Sequence, residues 1–350
     1  MTSYFRNLAA FGTVVLTGVS APAFAAGTTA GSTITNTVSV GYSVGGVAQT
    51  AVSATNTFTV DRKITLTVAE TGTATTTVAP GQSAAVTTFT VTNTSNAPLD
   101  LGLAVAQQAG GTAQHGGTDN FDVSAPGLFI DTNTNGTYDA GTDLAVTYLD
   151  EIAADASRTV FVVANIPANR VNGDVAGITL TAQAREAGGA GAPGVVITET
   201  TGANTAGQDT VFADGAGSTD AARDGQFSAR DDYTVSGATL TVTKISKVIS
   251  DPSNGTTNPK LIPGAVVEYC IQTANAAGGA GASNVAISDT LPTQTTFVPG
   301  SIFINGTVTS GSCNADGTAG GTFSGGTVSG TLATVAAGTA RTLYFRTTIN

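Results

Sequence analysis

The run Asp131-Thr132-Asn133-Thr134-Asn135-Gly136 sets three oxygen-bearing side chains at alternate positions ahead of a glycine. Alternation of this kind turns the oxygens toward one point while glycine permits the sharp bend, as in the opening half of a calcium loop. Thr137 then offers a backbone carbonyl and Asp139 a direct or water-mediated contact. The twelfth position, Glu in an EF-hand, is Thr142 here, and Asp143 follows one residue late as the closing carboxylate. The expectation is a calcium loop set between strands, with Asp131, Asn133, Asn135, Thr137, Asp139 and Asp143 as ligands. Asn, Asp and Gly are equally suited to an ordinary polar turn, which is the alternative.

Other chemistry-bearing residues are sparse. Asp214, Asp220, Asp224, Asp231 and Asp232 form a second acidic group, read as a solvated loop, with a cation site or acidic contact surface as the alternative. His115, the single histidine, sits in the Gly-rich run AQHGGTD (113–119) and reads as an exposed loop residue. A general base needs a nucleophile and an orienting group, and no G-x-S-x-G elbow, phosphate loop or H-E-x-x-H stands beside it. Lys244, Lys247 and Lys260 could form an isopeptide bond with Asn275 or Asp289, but are read as solvated. No nucleophile–base pairing is legible, and the chain is read as a non-enzyme with no catalytic residue.

The elements that position these residues follow from composition and pattern. Only 11% of the 350 residues are charged, against about a quarter in ordinary domains, and the net charge is −11. Nothing would neutralise phosphates, so nucleic-acid binding is excluded. Residues 1–25 read as a signal peptide: Arg6, the apolar stretch Leu8–Val19, then Ala23-Phe24-Ala25 as the cleavage site. That apolar stretch is too short to span a bilayer, and no other run reads as a transmembrane segment. The expected location is extracellular or the outer cell surface. In an oxidising compartment Cys270 and Cys313 pair. Val267, Tyr269 and Ile271 share one face of a strand and Cys270 takes the other, so the bond would tether the Gly-rich loop around Cys313 to the outer face.

Period-two alternation dominates. Ile34, Val38, Val40, Tyr42 and Val44 share one face, Gly45-Gly46 offers a tight turn, and Val52, Phe58 and Val60 resume the pattern. Further strands are expected at 64–69, 86–93, 99–106, 144–149, 158–166, 178–184, 195–199, 233–249, 265–273, 284–288, 302–308 and 341–349. The fold class is all-β. An internal repeat supports a finer reading. Pro80-Gly81 leads to Phe89, Val91 and Asn93, while Pro263-Gly264 leads to Tyr269, Ile271 and Asn275. IAADASRTVFVVANI (152–166) matches VAAGTARTLYFRTTI (335–349), and Pro80 to Pro263 and Ile152 to Val335 are both steps of 183 residues. Two immunoglobulin-like sandwiches are expected, 26–238 with extra strands and a Gly-rich excursion, and 239–350.

The second sandwich resembles a known family. Pro263-Gly264, Asn275, Asn284-Val285, Asp289-Thr290-Leu291-Pro292 and Phe297-Val298-Pro299-Gly300-Ser301 together resemble the bacterial conserved-repeat family called domain of unknown function 11. The first matches it more loosely, with NAPLDLGLAV (96–105) in place of the Asp-x-Leu-Pro block. The resemblance implies an Ig-like module of secreted and cell-surface proteins and no catalytic residues. The function expected is a secreted structural subunit that self-associates into a filament, surface layer or matrix, by strand addition through the hairpin at 33–60, the strand at 178–184 or the strand at 341–349. The alternative is an adhesin for a surface protein or glycan; the lack of Trp leaves few sugar-stacking platforms.

Overall fold

The computed structural model describes residues 27–310, 312–314 and 316–350; the segment 1–25, read above as a signal peptide, lies outside the described residues. Within them every regular element is a β-strand, as expected, and no helix is long and apolar enough to cross a membrane. The strand Ala85–Asn93 shows why: positions 85, 87, 89, 91 and 93 are buried and those between are half-buried, the signature of a strand with one face on a core.

Two five-stranded sheets form the first sandwich. One runs β11 (Leu144–Ala145), β10 (Ser124–Ile130), β13 (Ser157–Asn165), β8 (Ala85–Asn93) and β6 (Leu66–Glu70). Facing it is β12 (Tyr148–Ile152), β9 (Leu99–Gln107), β14 (Val175–Arg185), β16 (Gln226–Val235) and β7 (Thr76–Val78). Phe89, Val91 and Val162 from one sheet pack with Leu101, Leu180 and Tyr233 from the other in a single core. The short β5 (Arg62–Ile64) pairs in parallel with β15 (Thr210–Phe212).

The second sandwich is built the same way on one side only. Its larger sheet runs β17 (Leu240–Ser250), β18 (Val266–Asn275), β27 (Ala340–Ile349), β21 (Phe303–Gly306) and β24 (Thr318–Ala319), with β20 (Thr295–Phe297) also on β27. Its partner holds three strands, β19 (Val285–Thr290), β26 (Thr327–Leu332) and β25 (Thr322–Ser324). The ribbon of β22 (Val308–Thr309) and β23 (Ser312–Cys313) lies apart. Ile271, Val328, Leu343 and Phe345 form a separate core.

The residues that follow from the repeat occupy matching places. Asn93 donates through Nδ2 to the carbonyls of Ala97 (2.9 Å) and Ile152 (2.8 Å), while Asn275 donates to Ala280 (2.8 Å) and Val335 (3.0 Å). Ile152 and Val335 are the second anchors of the repeat, so each asparagine ties one anchor to the other.

Before the first sandwich stands a hairpin of β1 (Thr33–Val40) and β4 (Val52–Thr59), closed by β2 (Ser43–Val44) and β3 (Val47–Ala48). Gly45 and Gly46 both take positive φ, 60° and 85°, as a type I′ turn requires.

Several strand expectations are corrected. Residues 124–130 and 327–332 are strands that Pro126, Gly127, Gly326 and Gly330 concealed; a register shift between Ser124 and Gly127 accommodates Pro126. The single strand expected at 233–249 is two, broken at Ser236–Thr239, where the chain passes between sandwiches. Residues 195–199 form no strand, only a bridge from Val196 to Arg185. Neither the strand at 178–184 nor that at 341–349 is a free edge: β14 pairs with β9 on one side and β16 on the other, and β27 with β18 on one side and β20 and β21 on the other, which removes both as sites of subunit exchange.

Candidate functional site

The loop 131–143 connects β10 to β11 and folds around the residues the spacing singled out. Asp131 accepts from the backbone N–H of Asn135 (3.2 Å) and Gly136 (2.8 Å). Asp143 accepts from Thr132 (3.0 Å) and Asp139 (2.7 Å). The side-chain amides of Asn133 and Asn135 donate to Asp139 at 2.9 and 2.7 Å and hold its carboxyl below the usual range. Thr137 donates its N–H to the side-chain oxygen of Asn135 (2.8 Å). Asp131 and Asp143 are buried, and Gly136 takes φ of 75° at the bend. The six residues are linked by hydrogen bonds in one turn, but its three carboxylates are engaged by N–H donors and do not bring their oxygens within 4.8 Å of one another.

A second cluster was not legible as one. His115 is carried over the first sandwich by the loop after β9, which Asp119 fastens by accepting from Gly110 (2.7 Å) and Gly177 (2.8 Å). Its backbone N–H donates to Asp232 (2.7 Å). Its ring reaches Glu70 through Nε2 at 3.1 Å, and Nδ1 lies 3.8 Å from Asp231 and 3.6 Å from Asp232. The expected exposed histidine is thus largely covered, at 14% side-chain exposure, because carboxylates on β6 and β16 draw its loop down. Among the described residues, Glu70, His115 and Asp231 are the group of three whose donor atoms lie within 4.8 Å of one another. Such a set could hold a divalent cation or, with the ring protonated, an imidazolium among carboxylates. Glu70 Oε1, His115 Nδ1 and Asp232 Oδ1 are buried without hydrogen-bond partners. Burial pushes the Asp231 carboxyl up to about 7 and raises that of Glu70, against the pull of His115.

The five aspartates of the second acidic group do not act together. Asp214, buried at 2% exposure, accepts from the N–H groups of Asp224 and Gly225, both at 3.1 Å. Asp220 accepts from Gly217 (2.8 Å), and Asp224 from Ala221 (3.1 Å) and Gln226 (2.9 Å). The solvated-loop expectation is corrected for Asp214, Asp231 and Asp232, which are buried. One signal for the His115 cluster was available: Leu66, Val68 and Glu70 share an inward face, and a Glu at the end of an apolar row needs a partner.

In the second sandwich Cys270 and Cys313, 43 residues apart, are joined by a disulfide. Cys270 sits on the face opposite Ile271 and is itself buried. Lys244 is exposed, as expected, but it is also paired. Its Nζ lies 2.6 Å from Asp289 and 4.8 Å from the Tyr269 ring centroid, bridging β17 to β19.

That bridge crosses an opening. In the first sandwich β9 has β12 on one side and β14 on the other, and β14 and β16 lie over β6. In the second, β19 has β26 on one side and, among the described residues, no strand on the other. Leu66 opposes Asn93 and Leu240 opposes Asn275, so Leu66 and Val68 match Leu240 and Val242. The first pair is 0% and 3% exposed, the second 40% and 64%. A groove of about 320 Å³ lies between the two uncovered edges, lined by Val242, Lys244, Ile271, Ile287 and Asp289 among others.

No family model and no curated protein matches the chain. Among solved structures it is similar to the CupB6 tip adhesin of Pseudomonas aeruginosa, at 10% identity and a TM-score of 0.27, over 83% of this chain and 88% of that one. It is also similar to a variant of BcpA, the major pilin subunit of Bacillus cereus (11%, TM-score 0.23), over 71% of this chain and 59% of the pilin. The class 5 fimbriae chaperone CfaA is similar at 9% identity and a TM-score of 0.22, over 78% and 83%. These scores are low, and the fold assignment rests on the strand pairing described above.

Proposed function

We propose that the chain is an exported structural protein of the bacterial cell surface, a subunit that self-associates into a filament, surface layer or extracellular matrix, and that it performs no catalysis. The observation that carries this reading is the uncovered flank of the second sandwich: an unpaired strand edge beside an apolar inner face, an arrangement that takes up an added strand. The motif resemblance of 263–302 to the conserved-repeat family and the signal-peptide pattern of 1–25 support the same reading. In it, the loop at 131–143 takes calcium at extracellular concentrations through Asp131, Asn133, Asn135, Thr137, Asp139 and Asp143. Electron microscopy of the exported chain (26–350), with calcium and with chelator, tests both parts. Filaments or sheets that disperse with chelator support both; assemblies indifferent to chelator remove the calcium part; dispersed two-lobed monomers in both conditions remove self-association.

One observation favours the alternative, an adhesin or ligand-binding module. Phe297 and Phe323 stack at 4.4 Å between centroids and line a surface pocket with Pro299 and Gly300. Saturable binding to a protein or glycan array by a monomeric chain, lost in Phe323→Ala, would establish it.

A further inference from the structure

The uncovered flank has a counterpart elsewhere in the chain. We propose that the hairpin β1–β4 of one copy inserts into the second sandwich of another, one strand lying along β19, and supplies there the pair that β14 and β16 supply in the first sandwich. This rests on the self-association reading and names the parts that meet.

The hairpin has the required number of strands and the required faces. The paired positions Ile34 and Phe58, Val38 and Ala54, and Val40 and Val52 form one face, while Thr33, Thr35, Thr37 and Ser39 oppose Thr59, Thr57, Thr55 and Ser53 on the other. β14 and β16 are likewise an antiparallel pair with one face on the core. Yet nearly all of the hairpin is exposed, including Val38 at 57%, Val52 at 61% and Phe58 at 58%. An isolated two-stranded ribbon is marginal in water, and an apolar face left open on it calls for a cover. Nor is the hairpin protected in the usual manner: residues 33–59 contain no Asp, Glu, Lys or Arg, where free edges ordinarily carry charge to prevent pairing.

The polar groups correspond as well. Asn36 and Asn56 oppose each other in the middle of the apolar face. Lys244 and Asp289 line the groove as an ion pair. An amide both donates and accepts, so the asparagines can satisfy the ion pair as water is expelled.

The occupant belongs to a second copy because hairpin and groove leave opposite ends of the first sandwich. The hairpin is rooted where β8 ends: Asn96 donates to the carbonyls of Thr28 (3.1 Å) and Asp61 (2.9 Å), and Gly31 bonds Val60 (2.9 Å). The second sandwich departs where β8 begins. There Ser236 bonds Val78 (2.7 Å), and Thr76, on the same short strand, reaches Val86 (3.4 Å). β8 itself, nine residues, separates the two by about 30 Å. A contact of this kind is head-to-tail, and repeated it builds an open filament rather than a closed pair.

Two variants test it. Val38→Asp and Val242→Asp change positions 57% and 64% exposed in the single chain, so each folds. On docking, each carboxylate would lose its water in a groove whose Lys244 is already paired with Asp289, which weakens assembly on the order of 100-fold or more. Each variant alone therefore sediments as a monomer where the wild-type chain polymerises. Mixed, they give a one-to-one dimer and nothing larger. The intact hairpin of the Val242→Asp chain enters the intact groove of the Val38→Asp chain, and the hairpin and groove that remain are both blocked. Thr37→Asp, on the hydroxyl face, retains assembly. Polymers from either single variant, or no dimer on mixing, overturn the hairpin assignment and leave self-association standing. A wild-type chain that stays monomeric at every concentration overturns self-association itself.

Discussion

The two sandwiches put the same residue types at the same places and reach different results. Leu66 and Val68 vanish into a core, while Leu240 and Val242 stand largely in water. Hydrophobicity does not distinguish them, since each pair is one Leu and one Val. What differs is the strand lying above: β14 and β16 roof β6, and no described strand roofs β17. The next inward position carries a charge in both halves, Glu70 facing His115 and Lys244 facing Asp289. In the first sandwich the charge is closed over by a loop; in the second it lines an opening. A burial pattern is thus a property of neighbours as much as of sequence, and the comparison can be broken or sharpened at graded cost.

The largest effect falls on the roofed core. Phe89→Ala removes a fully buried ring and should cost about 3–5 kcal/mol, while Val242→Ala, at an inward position that stands largely in water in the single chain, should stay within about 0.5 kcal/mol. Denaturant melts of the two variants, each in the monomeric Val38→Asp background, compare them directly; equal losses would mean that Val242 is covered within the single chain. Next comes the disulfide. Replacing Cys270 and Cys313 with Ser should destabilise the second sandwich by roughly 2–4 kcal/mol and leave the first unfolding transition in place, as two-transition calorimetry would show.

The asparagine ties follow. Asn93→Ala and Asn275→Ala each strand two carbonyls, both side chains being buried. Each should cost about 1–3 kcal/mol, the first in one transition and the second in the other. A loss confined to one half for both variants would break the equivalence of the repeats.

A further effect is in pH. Burial raises the Asp231 carboxyl to about 7, so the folded chain keeps a proton that the unfolded chain has released above its ordinary value near 4. The unfolded state then binds fewer protons, and stability declines as pH rises from about 4 to about 7. Asp231→Asn removes this contribution: its melting temperature should vary less across that window than the wild-type value. An unchanged slope would assign the pH dependence to other groups.

Much of the first comparison was legible in residues. The alternation in 85–93 and 266–275 and the shared 183-residue step gave the strands and their repetition, because a period-two pattern records which face meets a core. Glycine and proline misled where they occur inside strands, at Pro126, Gly127 and Gly330, since a bulge or a close crossing uses the same residues as a turn. The calcium-like spacing at 131–143 named residues that share one hydrogen-bonded turn, because those bonds are local. The His115 cluster could not be found that way. Glu70, His115 and Asp231 are far apart in the chain, and only the folding of the sandwich brings them within reach.

The sequence by itself determined the all-β class, the repeat and the apolar faces of the strands, because alternation and periodic anchors are set residue by residue. Tertiary structure alone decided which of those faces are covered. It closed β14 between two neighbours, left the edge of β19 unpaired, and set the hairpin and the groove at opposite ends of one sandwich. Pairing across a sheet is a long-range choice, and no local pattern states which strand will lie beside another.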